Sequence, residues 1–250
     1  MLFIIAASLF SIALLLNNGT ADIDYSIQWM SNSNISFSLK ADGLSIAMLL
    51  LTTILTPIII LASLSHEFKN EKLLYSLVLF MEFAMLGAFM SSNAFVYYVF
   101  WEMSLIPIYF IIVLWGNDEI RKRRKAAMTF FLFTFLGSLF MLAAIIFMYT
   151  KTGSFELEAF YNADLTLTEQ IWVFLAFFLA YGIKIPIFPF HTWQANVYQK
   201  APAIGTMLLA GLMSKMGAYS VIRWQIATVP DAALQLRPIV LVLCIIGVIY

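Results

Sequence analysis

The sequence predicts an all-α polytopic membrane protein, a bundle of about eight transmembrane helices, and three observations carry that prediction. Of its 250 residues, 62% are hydrophobic and only 11% are charged; a soluble domain carries about 25% charged residues. The apolar residues form long unbroken runs near the ~20 residues that span a bilayer. The charges gather between those runs or at their ends, with four exceptions.

In chain order the runs are residues 2–16, 43–64, 73–90, 94–115, 126–149, 170–190, 202–224 and 238–250. The first has no basic residue before it and no convincing cleavage pattern, so it reads as a membrane helix, a signal peptide being the alternative. The last has 13 residues and ends apolar, which predicts a helix cut short. All of residues 1–250 are read as one transmembrane domain. Arg121, Lys122, Arg123, Arg124 and Lys125 form a basic cluster expected on the cytoplasmic side, because Lys and Arg set orientation. Asp22, Asp24 and Asp42 in the first loop, and Glu156, Glu158, Asp164 and Glu169 in a later one, are expected outside. Alternation then places the N-terminus and the connector 191–201 inside.

Several functions are disfavoured early. A formal net charge of zero gives nucleic-acid binding no electrostatic support. Cys244 is the single cysteine; it excludes an internal disulfide and reads as a small apolar packing residue. No His, Cys and carboxylate set has ligand spacing, so no metal site is expected. His66, beside Glu67 in a loop, reads as a solvated side chain.

Four charges lie in the middle of the runs: Glu82, Glu102, Lys184 and Lys215. An ionised side chain at the bilayer centre costs about 2.5–3.5 kcal/mol or more, so it needs a partner, water or a function. Two acids and two lysines at similar depth predict a polar line through the protein. Lys184 lies in Gly182-Ile183-Lys184-Ile185-Pro186, with Pro189 following. Proline lacks an N–H and clashes with the carbonyl four residues earlier, so the carbonyls of Gly182 and Ile185 are expected to be freed and hydrated. Broken helices beside ionisable groups mark ion paths in transporters; a structural, carboxylate-paired lysine is the other reading.

Lys215 lies roughly 20 Å along the helix that starts at Pro202, flanked by Gly211, Ser214 and Gly217; snorkelling is its alternative. Glu102 precedes Pro107, which is expected to free the Met103 carbonyl. Glu82 reads either as part of the line or as a packing residue. His191, at the end of the broken helix, reads as a proton relay or as a satisfied structural histidine. A Glu–Lys pair about 4 Å apart attracts by about 4 kcal/mol at an effective dielectric of ~20, and doubling the distance halves this. That change is enough to move a proton without a cofactor.

The joint pattern resembles a known family. Phe100-Trp101-Glu102-Met103-Ser104-Leu105-Ile106-Pro107-Ile108-Tyr109 with Leu114-Trp115-Gly116, the lysine segment 182–193, Ala201-Pro202 with Gly205, 214–219 with Arg223, and Asp42-Gly43-Leu44-Ser45 are similar to motifs of the antiporter-like subunits of respiratory complex I, NADH-quinone oxidoreductase, of the chain M (mitochondrial chain 4) type. The resemblance implies the first inverted-repeat unit of an antiporter-like fold, without the C-terminal half. It implies a proton-translocating subunit in which Glu102 couples to a neighbour, Lys184 pumps and Lys215 relays. No cofactor is expected on this chain; NADH, FMN, iron–sulfur clusters and quinone belong to partner subunits, and the partners are the other membrane subunits of the complex. A bacterial cytoplasmic membrane is favoured over a mitochondrial one. Tyr198 stands where the family usually has a histidine, and Asn93 where an aspartate is common. The alternatives are a subunit of a cation/proton antiporter or membrane-bound hydrogenase, a non-transporting scaffold, and, more weakly, a solute transporter.

Overall fold

The structure, a computed structural model, describes residues 23–30 and 35–249. The run 2–16 lies outside them. A β-hairpin comes first: β1 (Ile23–Met30) pairs antiparallel with β2 (Ile35–Ala41). The helices follow as α1 (Gly43–Ser63), α2 (Glu71–Met90), α3 (Ala94–Met103), α4 (Leu105–Trp115), α5 (Ile120–Thr152), α6 (Leu157–Tyr161), α7 (Leu167–Lys184), α8 (Thr192–Lys200), α9 (Ala203–Leu208), α10 (Ser214–Ser220) and α11 (Pro230–Ile249). Two π-helical segments, Leu209–Met213 and Val221–Ile226, bracket α10. Among the described residues, six helical stretches are long and apolar enough to cross a membrane, α3 and α4 counting as one. The stack from α9 through the second π segment is continuous helix over residues 203–226.

The hairpin departs from the all-α expectation. Its strands alternate apolar and polar residues, Ile23, Tyr25, Ile27 and Trp29 against Asp24, Ser26 and Gln28, the period-2 signal of a strand. The hairpin straps one end of the bundle. Ser92 N–H donates to the Ser38 carbonyl at 3.0 Å, Leu157 N–H to Ser92 at 2.8 Å, and Ala94 N–H to Phe155 at 2.7 Å. Glu156 is the knot: its Oε1 accepts from Ser36, from Ser38 at 3.0 Å and from Asn93 Nδ2 at 3.0 Å. Asn93 Oδ1 meanwhile caps α3, accepting from Phe95 and Val96 N–H. One side chain both donates to a carboxylate and accepts from a helix start, which an ionised aspartate cannot do.

The opposite end is also tied. Asn117 N–H donates to the Lys200 carbonyl at 2.9 Å, Lys200 Nζ reaches Asp118 Oδ2 at 2.5 Å, and Trp115 Nε1 donates to Lys69 O at 2.6 Å. Lys200, then the Glu119 amide, hold the Asp118 carboxyl down at about 2. The connectors around Lys69, Asp118 and Lys200 therefore share one face, and the hairpin and α6 share the other. This matches the alternation expected from the charge pattern.

Three boundaries differ from the expectations. The basic cluster is not a loop but the first turns of α5, whose 33 residues reach about 50 Å at 1.5 Å per residue. Lys and Arg are good helix formers, and Lys122 meets Asp118 and Glu119 at 3.5 and 3.7 Å. The connector after the broken helix is itself helical: α8 packs on α5 through buried Trp193, whose ring lies 4.9 Å from that of Phe130. The last helix starts at Pro230 rather than near Pro238, so the 13-residue run is part of a 20-residue helix. Gln170 ties its first turn to α7, donating to Asp231 Oδ2 at 3.0 Å and accepting from Asp231 N–H at 3.2 Å. Cys244 is exposed on α11 rather than packed.

The core runs the length of the bundle, from Phe89 and Phe160 at the hairpin end to Ile112 and Trp193 at the other. Outward faces carry large apolar residues such as Phe83, Leu132, Leu136 and Ile245, as contact with lipid requires. The topology is checked by Glu158→Cys in a protein lacking Cys244. Glu158 is exposed and faces Lys40 at 2.9 Å. An impermeant thiol reagent added outside is expected to label it; labelling only from the inside rejects the orientation.

Candidate functional site

Lys184 is the last residue of α7 and is only 3% exposed. Its depth follows from close packing on two sides. Gly137 of α5 faces Ala180 and Ile183 so tightly that an added methyl would come within 2.8 Å of Ile183 Cδ1. Gly217 of α10 faces the break itself; a methyl there would meet Ile185 Cγ1 at 2.7 Å and Lys184 Cβ at 3.4 Å. Two glycines therefore let two helices close on the lysine.

The break is better satisfied than proline chemistry alone suggests. The Gly182 carbonyl, expected to be free, accepts the Ile187 N–H at 2.8 Å. The Ile183 carbonyl accepts the Trp193 indole N–H at 3.0 Å. So a bond within the break itself fills the Gly182 carbonyl, where water had been expected, and Trp193 of α8 folds back onto the neighbouring Ile183 carbonyl.

Glu102 and Lys184 form no contact ion pair. Lys184 Nζ donates to Ser104 Oγ at 3.0 Å and lies 4.2 Å from the centre of the Trp101 ring. Ser104 sits at the junction of α3 and α4, and its hydroxyl donates to the Trp101 carbonyl at 2.7 Å. The Lys184 charge still acts on Glu102 through space. Glu102 Oε1 is buried without a hydrogen-bond partner. The Lys184 ammonium is thus held by a serine hydroxyl and an indole face rather than by the Glu102 carboxylate.

The other expected members lie further out. Lys215 is exposed, not buried as its mid-run position implied. Its Nζ donates to the Ala210 carbonyl at 2.8 Å, a carbonyl in the π segment Leu209–Met213 that also accepts from Ser214 Oγ at 2.9 Å. Lys215 borders a groove shared with Ile185, Pro186, Gln194 and Tyr198, so it adjoins the break from outside while Gly217 touches it from within. Glu82 is nearly buried, at 9% exposure, and its polar neighbour is Thr56 of α1; no contact joins it to Lys184. His191 precedes α8 and stacks on Phe188 with ring centres 5.6 Å apart.

Sequence reasoning passed over the polar aromatics between Lys184 and the hairpin. Trp101 lies 5.5 Å from Tyr181 and 5.9 Å from Tyr97, and Tyr97 stacks on Trp224 at 4.6 Å. Tyr97 OH and Ser220 Oγ are 2.5 Å apart. At the outer end Asp42 pairs with Arg223. The signal available was spacing: Tyr97 and Trp101 are four residues apart, as are Phe177 and Tyr181, one helical turn in each case.

Comparison with known proteins follows this geometry. Residues 91–250 match the family described as NADH:quinone oxidoreductase/Mrp antiporter, TM. NADH-ubiquinone oxidoreductase chain 4 of Marchantia polymorpha is 37% identical over 236 residues, covering 93% of this chain and 47% of that protein. A chain of respiratory complex I from Thermus thermophilus superposes with a TM-score of 0.83 and 30% identity, covering 95% of this chain and 50% of that one. A chain of the Mrp complex from Dietzia superposes at 0.82 with 22% identity, covering 93% and 26%, a likeness of fold. The chain spans about half the length of the curated relatives it matches.

Proposed function

The chain belongs to the NADH:quinone oxidoreductase/Mrp antiporter family of membrane proteins, and on that premise we propose that it serves as a proton-translocating subunit of an NADH-quinone oxidoreductase. The observation that carries the reading is Lys184: a buried amine at a helix break, held by Ser104 and Trp101 and electrostatically linked to Glu102. A lysine so placed holds a proton only while its surroundings favour the charge. Moving Ser104 or Glu102 changes that balance without any bound cofactor.

In this proposal Lys184 takes up and releases the proton, Glu102 senses the neighbouring subunit, and Lys215 exchanges protons along the groove shared with Tyr198. His191 and Glu82 have secondary roles, at the inner end of the break and on the α2 flank. NADH, FMN, iron–sulfur clusters and quinone are held by partner subunits, and electron transfer there drives the charge movement here. The partners are other membrane subunits of the complex, and a bacterial cytoplasmic membrane is the favoured setting.

Because the family also includes Mrp antiporters, exchange of a monovalent cation for a proton is the second reading. Reconstitution of the assembled complex separates the two. Acidification of the vesicle lumen is expected to require both NADH and quinone. Proton movement driven by a sodium gradient alone, without electron transfer, would overturn the first reading in favour of the second.

A further inference from the structure

We propose that the basic start of α5 and the apolar groove that follows it form a site for one anionic phospholipid, its phosphate held by Arg121, Arg124 and Lys125 and one acyl chain seated between α5 and α7. The proposal is independent of the proton-carrying reading of Lys184. It concerns the basic cluster, which that reading leaves unused, and a groove on the lipid-facing side of the bundle.

Five consecutive cations open α5, and their surroundings differ. Arg123 turns inward and donates to the Gly116 carbonyl at 2.9 Å. Lys122 meets Asp118 and Glu119. Arg121, Arg124 and Lys125 are exposed and form no ion pair among the described residues. Arg124 and Lys125 lie three and four residues after Arg121, so the three share one helix face. The helix dipole opposes positive charge at this end. Three uncommitted cations on one face therefore call for an anion. A phosphate fits, because the guanidinium fork matches its oxygens, and Lys and Arg clustered beside a membrane helix attract anionic headgroups.

The same face of α5 continues as exposed apolar surface. Leu132 and Leu136 follow Lys125 at helical spacing and are 55% and 58% exposed. They border a groove of about 340 Å³ between α5 and α7, lined by apolar residues alone and including Gly137, Phe140, Ile183 and Phe190. Gly137 keeps the floor open and low, since even a methyl there would meet Ile183. From Leu132 to Phe140 the groove runs about 10 to 22 Å from Lys125 at 1.5 Å per residue. That overlaps the hydrocarbon of one leaflet, about 15 Å thick. A lipid whose phosphate meets the three cations thus carries an acyl chain into the groove.

A second groove on the same two helices shows what the free cations add. It measures about 330 Å³ and is lined by Ala143, Ala144, Trp172 and Ala176 among others, with Glu169 at its edge. The cation beside it, Lys151, is already bound to Glu169 at 2.5 Å and lies over the Phe147 ring. Both grooves can take an acyl chain, but this one has its positive charge neutralised from within the chain. The groove after the basic cluster has not. An orientation signal requires only that Lys and Arg lie on the correct side of the membrane; it does not require them to stand over a groove.

The test uses the full-length protein in its assembled complex, reconstituted into phosphatidylcholine vesicles with a trace of photoreactive lipid, its diazirine midway along one acyl chain. The tracer headgroup is phosphatidylglycerol in one preparation and phosphatidylcholine in the other, and mass spectrometry locates the labelled residues. Phosphatidylglycerol is expected to label residues 132–140 and Phe190 several-fold more than phosphatidylcholine does, while both label the Trp172 groove alike. Replacing Arg121, Arg124 and Lys125 together by Gln is expected to remove the preference. Arg124→Gln alone, expected to lower it in part, serves if the triple variant changes orientation. Leu136→Trp fills the groove and leaves the cations, and is expected to abolish labelling of 132–140 by both lipids. Equal or absent labelling of 132–140 by the two tracers overturns the proposal. So does a preference that survives loss of the cations, or one of the same size at the Trp172 groove. Labelling that persists in Leu136→Trp overturns it too, because that reports passing surface lipid rather than a seated chain. Pumping is not read, so failure of the Lys184 reading leaves every outcome standing.

Discussion

Replacing Lys184 by Met is expected to abolish redox-driven proton pumping while the subunit still inserts and assembles. Met has similar length and lacks the charge, so it can lie in the same slot between Trp101, Ser104 and Gly217. Exchanging a buried charge for an apolar side chain of similar volume is often neutral or stabilising, so assembly is retained. No second amine reaches the Ser104 hydroxyl among the described residues, so the proton step has no substitute. A loss of more than about tenfold is expected, equivalent to a barrier raised by at least ~1.4 kcal/mol. NADH-driven acidification, measured beside quinone reduction in the presence of an uncoupler, reads the effect. Wild-type pumping in membranes that contain the assembled variant rejects the role of Lys184.

Glu102 gives the second large effect. Glu102→Gln keeps the shape but removes the charge that interacts with Lys184. It is expected to preserve assembly and to lower coupled quinone-reductase activity several-fold. Glu102→Asp keeps the charge on a stem shorter by one methylene and is expected to retain part of the activity. A purely packing role predicts the reverse order, because Gln fills the site better than Asp. Both variants in one complex preparation decide between the two orders; if Gln equals wild type, the charge is not used for coupling.

Much of this architecture was legible in the sequence because lipid enforces long apolar runs and exposes each buried charge as an exception. The Gly182–Pro186 break, the Ser104–Pro107 turn and the four intramembrane charges were all visible as residue types. What the run pattern cannot convey is direction around a helix axis. Lys184 and Lys215 both lie mid-run, yet one is enclosed by Gly137 and Gly217 and the other borders an open groove. The π segments that set this facing differ from α-helix by one residue per turn and leave no compositional mark. Direct Glu–Lys pairing was the natural inference from charge alone; Ser104, uncharged and small, took the partner's place. The hairpin was legible in principle, but a search for 20-residue apolar runs does not register strands of 7 and 8 residues.

The ties at both ends of the bundle have a mechanical consequence. On one side the hairpin, Glu156, Asn93 and the Gln170–Asp231 contact fasten the helix ends; on the other, Lys200, Asp118 and Trp115 do the same. Between them lie the interrupted α3–α4 rod, the broken α7 and the π turn Leu209–Met213. A beam clamped at both ends and notched at its centre bends only at the notch. Deformation imposed from outside would therefore concentrate around Lys184 and Ser104, while the tied rims would keep their outline. Such a part can be stacked in series with others like it and can pass strain inward without loosening the joints between them.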